Sequence, residues 1–215
     1  MHILRFDSLE SWIRTAASLW RDRLHVRPRL KTCLTSGHTP NPLYAAMVAS
    51  HRQNLVSFRD TELFALDEFG GLAPDDPGRC ANMLRHHLVD HIDVPPSRFH
   101  TFDPDAPNLD QVCHDFDLAI GSGFDLTLLG IGLNGHLGMN EPGSAPDSPT
   151  RRVALLPQTT ASATKYLTHT QAPTWGLTVG LKRLLASEEV WLLATGPAKA
   201  DIVRQTVHGN ITPDL

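Results

Sequence analysis

The chain has few of the features that would send it out of the cell, into a membrane or onto nucleic acid. It carries only three cysteines, Cys33, Cys80 and Cys113, far apart, odd in number and without a C-x-x-C pair. That pattern argues against a disulfide framework and suits reduced thiols in a cytosolic protein. No apolar run approaches the roughly 18 residues a membrane helix needs, and the N-terminal MHILRFDSLESW has no signal-peptide core. Strong charge of one sign is also lacking. A net charge of −4 and a pI near 6.3 give no electrostatic attraction for nucleic acid or an anionic membrane. Neither a G-x-S-x-G nucleophile elbow nor a P-loop occurs. What is present is ordinary for a globular protein: 41% hydrophobic and 20% charged residues in a chain of 215. The expectation is a cytoplasmic protein with one domain over residues 1–215.

Residues 124–143, FDLTLLGIGLNGHLGMNEPG, are the most informative stretch. A hydrophobic strand from Phe124 to Ile131 runs into a glycine-rich turn carrying Asn134, His136, Asn140 and Glu141. Open α/β sheets present their sites at the carboxyl ends of such strands. An imidazole and a carboxylate five residues apart there can share proton transfer on a small substrate. Gly130, Gly132 and Gly135 also spell the dinucleotide fingerprint G-x-G-x-x-G. That fingerprint needs a helix opening at its last glycine and an acid closing the next strand. Pro142, Pro146 and Pro149 break a helix here, and Asp147 sits in a Ser/Pro loop, so the dinucleotide reading is set aside.

Elsewhere strand-like and helix-like segments alternate. Strands are expected at Leu30 to Thr35, Thr61 to Leu66, Arg152 to Leu156, Trp175 to Val179 and Val190 to Ala194, besides the one at Phe124. Helices are expected over residues 8–24, 42–50, 77–91, 108–121, 159–167 and 197–208. This alternation predicts an α/β domain with a mainly parallel sheet and helices on both faces. The chain stops at ITPDL, where such a fold is expected to add a further strand.

Four of the strand-end loops carry groups suited to a sugar phosphate. Ser36-Gly37-His38-Thr39 leads into a helix, whose free N–H groups cradle anions, although a plain N-cap explains the same residues. Asp67 and Glu68 close a strand, and alternation lets only one of them face a ligand. The third loop carries Asn134, His136 and Glu141, and the fourth leads to Lys199. His87 and His91 lie one helical turn apart, but no third metal ligand is signalled, so they read as a solvated helix face.

In order along the chain, SGHTPNPLY, LDEF, GIGLNGHLGMNEPG, LTVG and TG-x-x-K resemble the glucosamine-6-phosphate deaminase/isomerase family, with its galactosamine-6-phosphate relatives and the more distant 6-phosphogluconolactonases. Asn140-Glu141-Pro142 favours the amino-sugar branch, since the lactonase branch lacks that carboxylate. The segments LDEFGGLAPDDPGRC and TVGLKRLLASEEVWLLATG look closest to the galactosamine-6-phosphate type. The resemblance implies a Rossmann-like sugar-phosphate isomerase fold. It implies Asp67 as the base moving a proton between C2 and C1, and His136 as the residue that helps open the ring, with Glu141 positioning or relaying its proton. Asn134, where many relatives carry Asp, would orient His136 by hydrogen bonding. Ser36, Gly37, His38, Thr39, Lys165 and Lys199 would bind the phosphate, with Lys165 standing where deaminases place an arginine.

Arg151 matches part of the allosteric site of the hexameric relatives. Val153 and Ala154 fall where that site needs polar groups, which argues against activation by an N-acetylated sugar phosphate. No metal or organic cofactor is implied, and the partner is a small sugar phosphate, with a homo-oligomer left open. A lactonase-type hydrolase and a non-catalytic sugar-phosphate sensor stand as the alternatives.

Overall fold

The computed structural model describes residues 1–167, 172–210 and 212. Eight strands are present among them: β1 Lys31–Leu34, β2 Glu62–Ala65, β3 Asp67–Phe69, β4 Phe99–His100, β5 Leu126–Gly130, β6 Arg151–Ala154, β7 Trp175–Thr178 and β8 Glu189–Leu193. Between and around them run α1 Leu9–Val26, α2 Asn41–Arg52, α3 Cys80–His87, α4 Leu109–Ile120, α5 Pro157–Ala163, α6 Leu181–Leu185 and α7 Ala200–His208.

Strands β4-β2-β1-β5-β8 form a wholly parallel sheet in that order. Its strands alternate between two apolar layers. Leu34, Leu63, Ala65, Leu126 and Leu128 pack with α1, α2 and α3 residues such as Trp20, Tyr44, Met47 and Leu84. Cys33, Phe64 and Leu129 face the other way, against Cys113, Phe116 and Ile120 of α4. Helices therefore cover both faces, which is why the strands read as continuous hydrophobic runs. Helix α1 starts where the Ser8 side chain accepts the Ser11 N–H at 3.1 Å, and it buries Trp12, Ala16, Ala17, Trp20 and Leu24 as one stripe.

A second sheet, β3-β7-β6, is antiparallel, so the expected strand at Trp175 to Val179 lies outside the parallel sheet. The chain crosses from one sheet to the other at Leu66. The Leu66 N–H still donates to Leu34 O at 3.0 Å, and the next residue, Asp67, pairs with Thr178. The short strand β4 and the short helix α6 carry too little periodicity to be read from sequence. The expected helix over 77–91 shortens to α3 and a 3-10 turn at Val89–His91. The further strand expected at the ITPDL end falls on residues 211 and 213–215, outside the described residues. Among the described residues no helix is long and apolar enough to cross a membrane.

Candidate active site

The loops after β1, β2, β5 and β8 all leave the carboxyl edge of the parallel sheet, at neighbouring strands. The turn after β5 contains no helix, which removes the dinucleotide fold that its glycines could have suggested. Instead Gly132 N donates to His136 O at 2.9 Å and closes a tight loop around the imidazole.

His136 is held from several sides. Its backbone N–H donates to Asn134 Oδ1 at 3.3 Å, and its ring Nδ1 stands 3.2 Å from Thr159 Oγ1 and 3.7 Å from Glu141 Oε2. Asn134, expected to orient His136 by hydrogen bonding, does so through the backbone N–H and not the ring, while its amide donates to Glu141 Oε2 at 3.0 Å and so aims the carboxylate. Leu156 N–H donates to the other carboxylate oxygen at 3.0 Å. Burial lowers the proton affinity of His136, Glu141 raises it and Lys199 lowers it, leaving the imidazole readily neutral. A side chain at Gly132 would stand inside contact distance of the imidazole, although the backbone there is not left-handed. Gly132→Ala is expected to fold normally but push His136 out of place, lowering kcat by about 10²-fold. Steady-state kinetics beside a melting curve checks both halves.

The adjacent carboxylates split as alternation requires. Glu68, 1% exposed, accepts N–H groups from Phe69 and Cys80 at 2.8 Å and from Ala81 at 2.9 Å, so it caps the start of α3. Asp67, 7% exposed, has one oxygen, Oδ1, fully buried and without a hydrogen bond among the described residues. Burial raises its pKa to about 6, with the Cys80 thiol opposing that shift. The Asp67 partner Thr178 accepts the Met139 N–H at 3.1 Å, and a Cβ at Gly138 would touch both Thr178 and Leu66 at 3.0 Å. Asp67 and the His136 loop are thus packed through shared neighbours.

On the other side of Asp67, the Cys80 thiol faces both it and Ser36. Among the described residues no side chain caps α2, so Ser36 and Thr39 do not act as the plain N-cap that sequence allows. Gly37 sits at φ +98 under Tyr166, whose hydroxyl would lie 2.9 Å from a Cβ there. His38 meets the same ring edge-on at 4.8 Å, and Lys165 Nζ lies 4.9 Å from its centroid. The Lys199 ammonium donates to Ile131 O, and burial and then Lys165 lower its proton affinity.

Six of the ten expected side chains (Ser36, His38, Asp67, His136, Lys165 and Lys199) are linked in this way into one neighbourhood, with Gly37, Asn134 and Glu141 as their immediate supports. Thr39 lies at the turn entering α2. Tyr166, Thr159 and Cys80 were not legible as site residues, because single hydroxyls and a thiol on helices give no sequence signal. Arg151 is a structural pin, donating to Asn140 Oδ1 at 2.8 Å, Ser148 Oγ at 3.0 Å and Ser144 Oγ at 3.1 Å. His87 and His91 are used locally, by Asn41 and by the His86 carbonyl.

A family model described as glucosamine-6-phosphate isomerases/6-phosphogluconolactonase matches residues 7–214. A glucosamine-6-phosphate deaminase of Shouchella clausii is 33% identical over 215 residues, covering 99% of this chain and 87% of its own length. Glucosamine-6-phosphate deaminase 1 of Bacillus subtilis is 32% identical over 218 residues, covering 100% of this chain and 90% of its own. The solved structure of a monomeric glucosamine-6-phosphate deaminase superposes with a TM-score of 0.95 at 32% identity, over 100% of this chain and 90% of that one. The 6-phosphogluconolactonase of Thermotoga maritima shares the fold at a TM-score of 0.77 and 17% identity, over 99% of this chain and 91% of that one. With the sheet order, the strand-end loops and relatives along its whole length in agreement, the chain belongs to the family of glucosamine-6-phosphate isomerases and 6-phosphogluconolactonases.

Proposed function

We propose that this protein is a hexosamine-6-phosphate deaminase that converts glucosamine 6-phosphate and water to the ketose 6-phosphate and ammonia. The observation that carries this reading is Asp67, a buried carboxylate with one oxygen free of any hydrogen bond among the described residues, whose strand partner Thr178 also bonds the loop that carries the His136–Glu141 pair. A base of pKa about 6 is ionised at neutral pH yet close enough to it to release its proton again. A lactone hydrolase has no carbon proton to move, and a sensor has no use for a desolvated free carboxylate. Curated relatives that align with almost the whole chain carry the deaminase name.

The proposed steps use groups on facing loops. His136 transfers a proton to the ring oxygen O5 as the C1–O5 bond breaks and the O1 hydroxyl gives up its proton, leaving the open aldehyde. Asp67 takes the C2 proton, the aldehyde oxygen O1 takes a proton from the C2 ammonium, and Asp67 returns its proton to C1, so C1 becomes a CH2OH group and the C2–N bond a ketiminium. Water adds at C2, ammonia leaves, and the ketose remains. The phosphate is held against the uncapped start of α2 and the Ser36–Thr39 turn, with Lys199 and Lys165 supplying charge.

Ammonia release from glucosamine 6-phosphate and galactosamine 6-phosphate, side by side, tests the activity and the C4 preference. Release from neither overturns the proposal. Lys199→Ala is expected to raise KM for the sugar phosphate about tenfold or more, the loss of one charge-assisted contact. The difference from wild type narrows at high salt, where the wild-type attraction is itself screened. Free hexosamine should be a poor substrate that the substitution leaves unchanged, and equal turnover of free and phosphorylated sugar would exclude phosphate anchoring.

A further inference from the structure

Helix α5 carries three threonines, Thr159, Thr160 and, at its end, Thr164, and their hydroxyls are used differently. Thr160 donates to Pro173 O at 3.0 Å, 13 positions on, and Thr164 to Ala161 O at 2.8 Å, so both are spent on main-chain carbonyls. Thr159 is buried, and its only hydrogen-bond partner among the described residues is His136 Nδ1, 23 positions earlier, at 3.2 Å. The Glu141 carboxylate is farther from that nitrogen, at 3.7 Å, beyond ordinary hydrogen-bond length. Its two oxygens are already engaged by the Asn134 amide and the Leu156 N–H.

A buried hydroxyl whose sole neighbour is an imidazole nitrogen has two options. It can donate to that nitrogen, or it can accept from it and leave its own hydrogen without an acceptor. The second option orphans a buried donor and is the costlier arrangement. The first fixes the other tautomer, with the proton on Nε2, for which no hydrogen bond exists among the described residues. An Nε2–H is the group that a leaving ring oxygen needs.

From this contact we infer that Thr159 is a positioning residue for His136: its hydroxyl donates to Nδ1 and holds the neutral imidazole in the Nε2–H tautomer. Helix α5 therefore has a part in proton transfer without touching the substrate. The residues flanking it meet the site twice more, through the Leu156 N–H on Glu141 before the helix and through Tyr166 over Gly37 after it, so its placement and the state of His136 are linked. The catalytic consequence rests on the deaminase reading above; the tautomer does not.

The test compares wild type with Thr159→Val, which keeps the shape and removes the hydroxyl, and Thr159→Ser, which keeps the hydroxyl. Ring 15N shifts of histidine-labelled free protein, with His136 assigned by its absence in His136→Gln, report the tautomer without any substrate. The wild type and Thr159→Ser should show a protonated Nε2 and a bare Nδ1, and Thr159→Val should lose that preference. In the deamination assay Thr159→Val should lower kcat about tenfold with KM little changed, and Thr159→Ser should restore it. A wild-type Nδ1–H, or a Thr159→Val protein with unchanged tautomer, overturns the inference. So does a loss of kcat that serine fails to restore, which would reveal a packing effect. An absence of deamination in all three with the expected ring shifts would instead remove the deaminase reading and leave the tautomer assignment standing.

Discussion

Replacing Asp67 by asparagine is expected to lower turnover by about 10²–10⁴-fold while making the folded protein more stable at neutral pH. The amide keeps the shape of the carboxylate but cannot take the C2 proton, so substrate binding should persist. The stability gain comes from the same burial that tunes the base. Folding raises the Asp67 pKa from 3.8 to about 6, so between those values the native state binds more protons than the unfolded chain. Wild-type stability from this group is complete below pH 3.8 and is lost as pH rises through 6. That step corresponds to about 3 kcal/mol at most, less whatever the new amide loses by finding no partner for the site of the orphaned Oδ1. Urea unfolding of wild type and Asp67→Asn at pH 8 and pH 4 checks the sign: the mutant should lead at pH 8 and the lead should vanish at pH 4. A mutant with more than half of wild-type turnover would remove Asp67 from the chemistry.

Burial raises the pKa of the neighbouring Glu68 as well, to about 7, but both of its oxygens accept hydrogen bonds, so its removal should destabilise the fold. Glu68→Ala leaves three N–H groups, those of Cys80 and Ala81 at the start of α3 and of Phe69 in β3, without their acceptor in a buried setting. At about 1–3 kcal/mol for each orphaned donor, partly relieved by water, the expected loss is about 3 kcal/mol or more. For a domain of this size that lowers Tm by about 6–12 °C. Assayed well below its Tm, the folded mutant should keep turnover of the wild-type order, because Glu68 faces α3 and not the loop around His136. A calorimetric scan and an activity assay at low temperature together separate the two residues. If Glu68→Ala were as stable as wild type and catalytically dead, the division of roles between the two carboxylates would be reversed.

Much of this was readable in the chain itself. The apolar runs at 30–35, 61–66 and 124–131 could only be strands buried on both faces, and their alternation with amphipathic stretches dictated a parallel sheet. A parallel sheet delivers its loops to one edge, so Gly37, Asp67, His136 and Lys199 were bound to meet once each was seen to follow a strand. Pro142, Pro146 and Pro149 were enough to dismiss the dinucleotide motif, since they forbid the helix it requires. Alternation along a strand foretold that only one of Asp67 and Glu68 would face the site, but not which.

That choice belonged to the tertiary structure. The chain leaves the parallel sheet at Leu66 and pairs Asp67 with Thr178, a partner 111 positions away, and this crossover leaves Asp67 with an oxygen that has no partner among the described residues while Glu68 bonds the start of α3. No local pattern encodes a strand that changes sheets, because each half obeys the same period of two. The same holds for the partner of His136 Nδ1. Asn134 and Glu141 were visible as nearby polar residues, whereas Thr159 reaches the ring only because β6 and the turn after it carry α5 across the loop. Composition and period decide which residues are buried and which loops share an edge. The pairing of distant segments decides which oxygen stands 3.2 Å from an imidazole nitrogen, and with it where the proton sits.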